Sequence, residues 1–99
     1  MVRIRWSTEA AADLQAIHDF IARDSARYAR AVCAELVEAV DQLSTFPQSG
    51  RVVPELRRDN VRELLRGSYR IVYRVADPAI VEIITVVHGA RLLRLERAP

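Results

Sequence analysis

Val2, Ile4 and Trp6 alternate with Arg3 and Arg5, the period-two pattern of a strand that buries one face. Ser7-Thr8-Glu9 follows, a hydroxyl N-cap and an early acid, both suited to the unpaired N–H groups of a helix start. Ala10, Leu14, Ile17 and Ile21 then form one stripe of a 3.6-residue period, with Asp13, Gln15, Asp19 and Arg23 off it. Asp24-Ser25 breaks that stripe and offers a second N-cap. Beyond it, Ala29, Val32, Cys33, Leu36, Val40 and Leu43 form another apolar stripe that ends near Phe46-Pro47. Two helices joined by so short a turn are expected to form a hairpin.

The stretch from Pro47 to about Asn60 holds Pro47, Ser49, Gly50 and Pro54 with charges at Arg57, Arg58 and Asp59, and reads as a surface loop. Val61 to Arg66, Tyr69 to Val75 and Ile80 to Val87 are rich in β-branched and aromatic residues, with breaks at Gly67-Ser68 and Ala76-Asp77-Pro78-Ala79. Gly67 suits the first central position of a type II′ turn, so these three strands are expected to form a meander. The fold expected is α+β: an N-terminal strand, a helical hairpin, then a three-stranded antiparallel meander, all in one domain over residues 1–99.

Strict alternation puts Tyr69, Ile71, Tyr73 and Val75 on one face of their strand and Arg70, Val72 and Arg74 on the other. In the last strand it puts Ile80, Ile84 and Val86 on one side and Val81, Ile83 and Val87 on the other, so both faces are apolar. A helical hairpin covers only one side of a small sheet. The uncovered apolar positions call for a cover, either Leu92 to Leu95 folding back or a partner chain.

Composition narrows the classes. Ninety-nine residues leave room for one core, and 51% hydrophobic with 28% charged residues is a globular composition. No apolar run approaches the ~20 residues of a membrane span, and the first residues do not resemble a signal peptide. Cys33 is the one cysteine, which excludes an intrachain disulfide and points to the cytoplasm. All fifteen basic residues are Arg, and the net charge is only +2, too small for a protein that coats nucleic acid.

Candidate chemistry is sparse. The glycines are isolated, so no phosphate loop is present, and neither His18 nor His88 has ligands at metal-binding spacing. No metal and no cofactor are expected. Cys33 lies on an apolar stripe, where a packed small hydrophobe is the natural reading. What remains is cationic and aromatic: Arg62, Arg66, Arg70, Tyr73, Arg74, His88 and Arg91. The strand arginines read either as a patch that holds phosphate or carboxylate through the guanidinium fork, or as a solvated face paired with Glu55, Glu63 and Glu82. His88 reads either as a general acid–base or as a strand-terminal hydrogen-bonder.

Several segments, taken in order, resemble a known family. Trp6-Ser7 precedes Ala11-Ala12-Asp13-Leu14, Ile17 and Phe20-Ile21-Ala22, and Leu43, Phe46-Pro47 and Gly50-Arg51 follow. Pro54-Glu55-Leu56, Val61-Arg62-Glu63-Leu64, Tyr69-Arg70-Ile71-Val72-Tyr73 and Val87-His88-Gly89-Ala90-Arg91 complete the order. Together these resemble a ParE toxin of the ParE/RelE superfamily of type II toxin–antitoxin systems.

The resemblance implies a cognate antitoxin, ParD-like with a ribbon-helix-helix fold, whose segment covers the toxin's groove and sheet; Ile80, Ile84 and Val86 are the candidate antitoxin contacts. Operator DNA would then be met only through that complex, and no membrane is implied. The resemblance further implies inhibition of DNA gyrase, with the A subunit as target, and Arg91, Leu92, Arg94 and Leu95 as the candidate target contacts. RelE-like members instead cut mRNA on the ribosome, using Lys, Arg and Tyr or His around the scissile phosphate. With no Lys in the chain, Arg62, Arg70 and His88 are the residues that would serve as catalytic groups in that alternative. A non-toxic, antitoxin-binding member is the third reading.

Overall fold

In the computed structural model, which describes residues 1–77 and 79–89, both predicted helix starts are capped by the serines that announce them. Strand β1 (Arg3–Trp6) leads into α1 (Thr8–Ala22), where the Ser7 side chain accepts the Ala10 N–H. Helix α2 (Ala26–Gln42) begins at Ser25, whose side chain accepts the Tyr28 N–H. The two stripes face inward: Ala10, Leu36, Ala39, Val40 and Leu43 are buried, and Leu14, Ile17 and Val32 pack against them. Strands β2 (Arg51–Val52), β3 (Val61–Arg66), β4 (Tyr69–Asp77) and β5 (Ile80–His88) complete a five-stranded sheet of order β1-β5-β4-β3-β2.

The meander β3-β4-β5 is antiparallel as expected, and Gly67 turns it with φ +55° while Ser68 stays in the ordinary region, the asymmetry of a II′ turn. Strand β1 joins parallel to β5, Arg3 beside Ile80 through Trp6 beside Ile83, with the helices and the rest of the sheet between them in sequence. That register puts Ile4 next to Val81 on the helix-covered side.

Two expectations are corrected. Pro47 to Asn60 is not a simple surface loop: Arg51 and Val52 pair with Glu63 and Arg62, and Val53 is fully buried with Val61 and Val72. Together with Leu56, this segment covers part of the sheet face turned away from the helices. Its bend is tight because the Tyr73 hydroxyl accepts the Gly50 N–H and donates to the Pro47 carbonyl, each at 2.9 Å.

The second correction concerns β5. Val72 faces Thr85 but Tyr73 faces Ile83, so Ile84 is an extra residue at a β-bulge and the alternation inverts there. Val81, Ile83 and Val86 lie in the helix-side core, whereas Ile84 and Val87 pack on the opposite cluster. Ile80, Ile84 and Val86 therefore do not share a face. Ser7 Oγ donates to the Ile84 carbonyl at 2.9 Å, and the Asp13 carboxylate accepts from the Thr85 hydroxyl and the Val86 N–H, holding the bulge against α1. The strand is apolar on both faces as read, but part of its second face is met by the chain's own Val53 and Leu56 segment. The suggested fold-back of Leu92 to Leu95 lies outside the described residues.

Candidate functional site

The face of the sheet away from the helices carries Arg70 and Arg74, and it is not a solvated row of charge. Arg70 on β4 is 6% exposed and Glu63 on β3 is 1% exposed. The register places Glu63 beside Val72, diagonal to Arg70, close enough for the side chains to meet. Arg70 Nε donates to Glu63 Oε1 at 2.7 Å, and Nη2 reaches the same oxygen at 2.6 Å. Both Nη atoms then clasp the two oxygens of Glu55 at 2.8 Å, a bidentate pair that ties the covering segment to the sheet. Arg51 Nε takes the other Glu63 oxygen at 2.6 Å. These partners raise the Arg70 pKa, its hydrogen bonds to Glu55 contributing most, against the opposing effect of burial.

The other strand cations are engaged as well. Arg74 and Arg5 share Glu82 at 2.9 and 3.6 Å. Arg62 lies opposite Tyr73 and donates to the carbonyls of Gly50 and Asp59, and Arg66 donates to the Leu65 carbonyl. Of the two readings left open for these arginines, the carboxylate partners are those named, Glu55, Glu63 and Glu82, but the central pairs are buried rather than solvated.

Two concavities flank the end of the sheet where β5 finishes. A cleft of about 340 Å³ is lined by Arg51, Glu55, Leu65, Tyr69, Arg70 and His88 together with residues 67, 68 and 89. The His88 ring meets Tyr69 edge to face at 6.0 Å. On the helix side, a groove of about 290 Å³ runs between α1 and the ends of β4 and β5, where Ala16, Ile17 and Phe20 face Tyr69, Val87 and His88. Phe20 is 65% exposed.

The structure thus joins Arg70 and His88 at one cleft and leaves Arg62 apart: in register, Arg62 pairs with Tyr73 and His88 with Tyr69, four residues or about 13 Å along β4. Val86 is 3% exposed under the helices, Ile84 is half-buried on the other face, and Ile80 is half-buried beside Arg3. Arg91, Leu92, Arg94 and Leu95 lie outside the described residues. Sequence reasoning missed the Glu55–Arg70–Glu63–Arg51 network as a unit and the α1 groove, although Phe20 and Ile17 at i and i−3 were available as its signal. Among the described residues no cluster of His, Cys, Asp or Glu could hold a metal ion, and no helix is long and apolar enough to cross a membrane.

Comparison with known proteins bears on this arrangement. The family model described as ParE toxin of type II toxin-antitoxin system, parDE, matches residues 4–93. The chain is 36% identical over 92 residues to Toxin RelE2 of Caulobacter vibrioides, covering 93% of this chain and all of that protein. Among solved structures, a chain of the chromosomal ParDE system from P. aeruginosa superposes with a TM-score of 0.71 at 25% identity, covering 89% of this chain and 96% of that one. A chain of the RelBE2 toxin-antitoxin complex from Mycobacterium tuberculosis does so at 0.62 and 28%, covering 88% and 96%.

Proposed function

The chain belongs to the ParE toxin family of type II toxin–antitoxin systems, and from that premise we propose that it inhibits DNA gyrase by binding and performs no phosphate chemistry of its own. The carrying observation is the state of Arg70. Its fork is taken by two carboxylates, one of them fully buried, so its charge is neutralised before any scissile phosphate arrives. Cleavage by in-line attack of a 2′-hydroxyl needs cations and an acid–base group converging on one phosphate. Arg62, about 13 Å along the strand from His88 and bonded to backbone carbonyls, does not converge with the other two.

Contact with the gyrase A subunit is assigned to the C-terminal stretch with Arg91, Leu92, Arg94 and Leu95, which interleaves cations with large apolar groups. Deleting residues 92–99 should abolish inhibition of supercoiling and leave the unfolding midpoint unchanged. A deletion variant that still inhibits refutes this assignment.

The same proposal includes neutralisation by a cognate, ParD-like antitoxin, with operator DNA met through the complex. The apolar groove lined by Ile17, Phe20, Val86 and Val87 gives an amphipathic antitoxin segment a seat, and of the three candidate antitoxin contacts Val86 lines it while Ile80 and Ile84 do not. Phe20→Glu should weaken copurification with the product of the adjacent gene, whereas Ile80→Glu should affect it less.

A further inference from the structure

The outward face of helix α2 carries its charges in an order that a lone helix disfavours. At 3.6 residues per turn, Arg27, Arg30, Ala34, Val37, Glu38 and Asp41 form one exposed stripe, diametrically opposite the inward Val32, Leu36 and Leu43. Arg27 lies in the first turn and Asp41 in the last, the reverse of what the helix dipole favours. Arg27 and Arg30 repel each other three residues apart, as do Glu38 and Asp41, and none of the four has an opposite charge three or four residues away within the helix. None of them forms an ion pair among the described residues. The monomer therefore gains nothing from this arrangement.

We propose that this face binds a second copy of the chain, α2 against α2, antiparallel about a two-fold axis at Ala34. The stripe is self-complementary about that residue: Arg30 and Glu38 stand four positions to either side of it, and Arg27 and Asp41 seven. In such a dimer Arg30 meets Glu38 of the second copy, Arg27 meets Asp41 of the second copy, and the symmetry makes every pair twice. Each like-charge block then faces the opposite block, and the dipole of one helix runs against that of the other. A parallel pair would set Arg against Arg, so the charge order also fixes the direction. Ala34 at the crossing allows the close end of the usual ~8–10 Å interaxial distance, with Ala31 set against Val37 of the second copy on either side. The stripe rises only ~21 Å from Arg27 to Asp41. One helix face of that length buries less than the ~1,200 Å² of a standard interface, so the dimer is transient, concentration-dependent and sensitive to salt. No α2 residue lines the groove assigned to the antitoxin, and the gyrase reading does not depend on this contact.

Sedimentation velocity of the full chain over a range of concentrations, at ~0.05 M and ~0.5 M salt, tests this. Wild type should move from monomer toward dimer with concentration at the lower salt, and its association constant should fall about tenfold at the higher. Arg27→Glu with Arg30→Glu makes the stripe acidic throughout, and Glu38→Arg with Asp41→Arg makes it basic throughout. Each double variant should stay monomeric, and an equimolar mixture of the two should form a heterodimer. All four substitutions in one chain reverse the polarity of the stripe without changing the net charge, so that variant should dimerise again; it keeps the test decisive even where a double variant does not fold. A wild type that stays monomeric at the highest concentration, a dimer that either double variant retains, a mixture that does not associate, or a fourfold variant that stays monomeric overturns the proposal. If wild type stays monomeric while Arg27→Glu with Arg30→Glu loses the antitoxin, the face belongs to the antitoxin and the proposal is likewise overturned.

Discussion

Glu63→Gln is the substitution that exposes how much of this fold hangs on a buried charge. The Glu63 carboxylate receives Arg51 Nε at 2.6 Å and Arg70 Nε and Nη2 at 2.7 and 2.6 Å, with no side-chain exposure. Gln keeps the shape and one acceptor but takes the buried Glu63 charge away from Arg70, 7% exposed along its side chain, and points an amide N–H₂ at a guanidinium. Breaking one partner out of a buried pair costs about 3–5 kcal/mol, because the surviving charge stays desolvated. For a domain of this size 1 kcal/mol moves the thermal midpoint by roughly 4–8 °C, so the drop should be at least about 12 °C. Against a total stability of ~5–15 kcal/mol that leaves a marginal protein. Glu82→Gln is the internal control: its pairs with Arg5 and Arg74 sit near solvent, and it should lose no more than ~1 kcal/mol. Glu63→Leu combined with Arg70→Met should regain much of the loss, since well-packed apolar groups replace a buried pair at little cost. Thermal melts of the four proteins decide the matter. A Glu63→Gln midpoint within about 4 °C of wild type, no lower than that of Glu82→Gln, would mean that the pair is hydrated and the reasoning fails.

Other outcomes follow from single contacts. Gly50→Ala should destabilise by ~1–3 kcal/mol in chemical denaturation, because an added Cβ would stand 2.6 Å from the Glu63 carbonyl and the Tyr73 hydroxyl. Burial raises the Tyr73 hydroxyl pKa above its ordinary 10.0, so its contribution to stability is complete below that pH and is lost as pH rises through the higher folded value; Tyr73→Phe should flatten this alkaline loss while costing ~1–3 kcal/mol for the unpaired Gly50 N–H. Leu36→Ala, at 1% exposure, should cost ~2–5 kcal/mol, read from the urea midpoint. Burial also pushes the Cys33 thiol above its ordinary 9.0, so alkylation by iodoacetamide at pH 8 should be slower than for free cysteine.

Local signals were legible and non-local ones were not. Ser7 and Ser25 marked the helix starts because a cap acts within three residues, and Gly67 marked its turn because only the backbone at that position needs positive φ. The parallel seat of β1 on β5 left no local trace, since it joins residues more than seventy positions apart. One inserted residue, Ile84, reversed the facing of what followed, and a period-two reading carries no term for a bulge. Arg70 illustrates the limit at the site: alternation separated it from Tyr69, Ile71 and Tyr73, but the polar segment around Glu55 gave no sign that it would cover the face Arg70 lies on.

The central claim is that this toxin poisons gyrase by binding and does not cut RNA. Purified toxin should be titrated into a gyrase supercoiling assay and, in parallel, into a ribosome–mRNA cleavage assay, each with and without the cognate antitoxin. The account predicts loss of supercoiling that antitoxin reverses, that Arg70→Gln retains once its folded fraction is matched, and no A-site cleavage. Normal supercoiling at saturating toxin, together with mRNA cleavage that Arg70→Gln or His88→Ala abolishes, would contradict it.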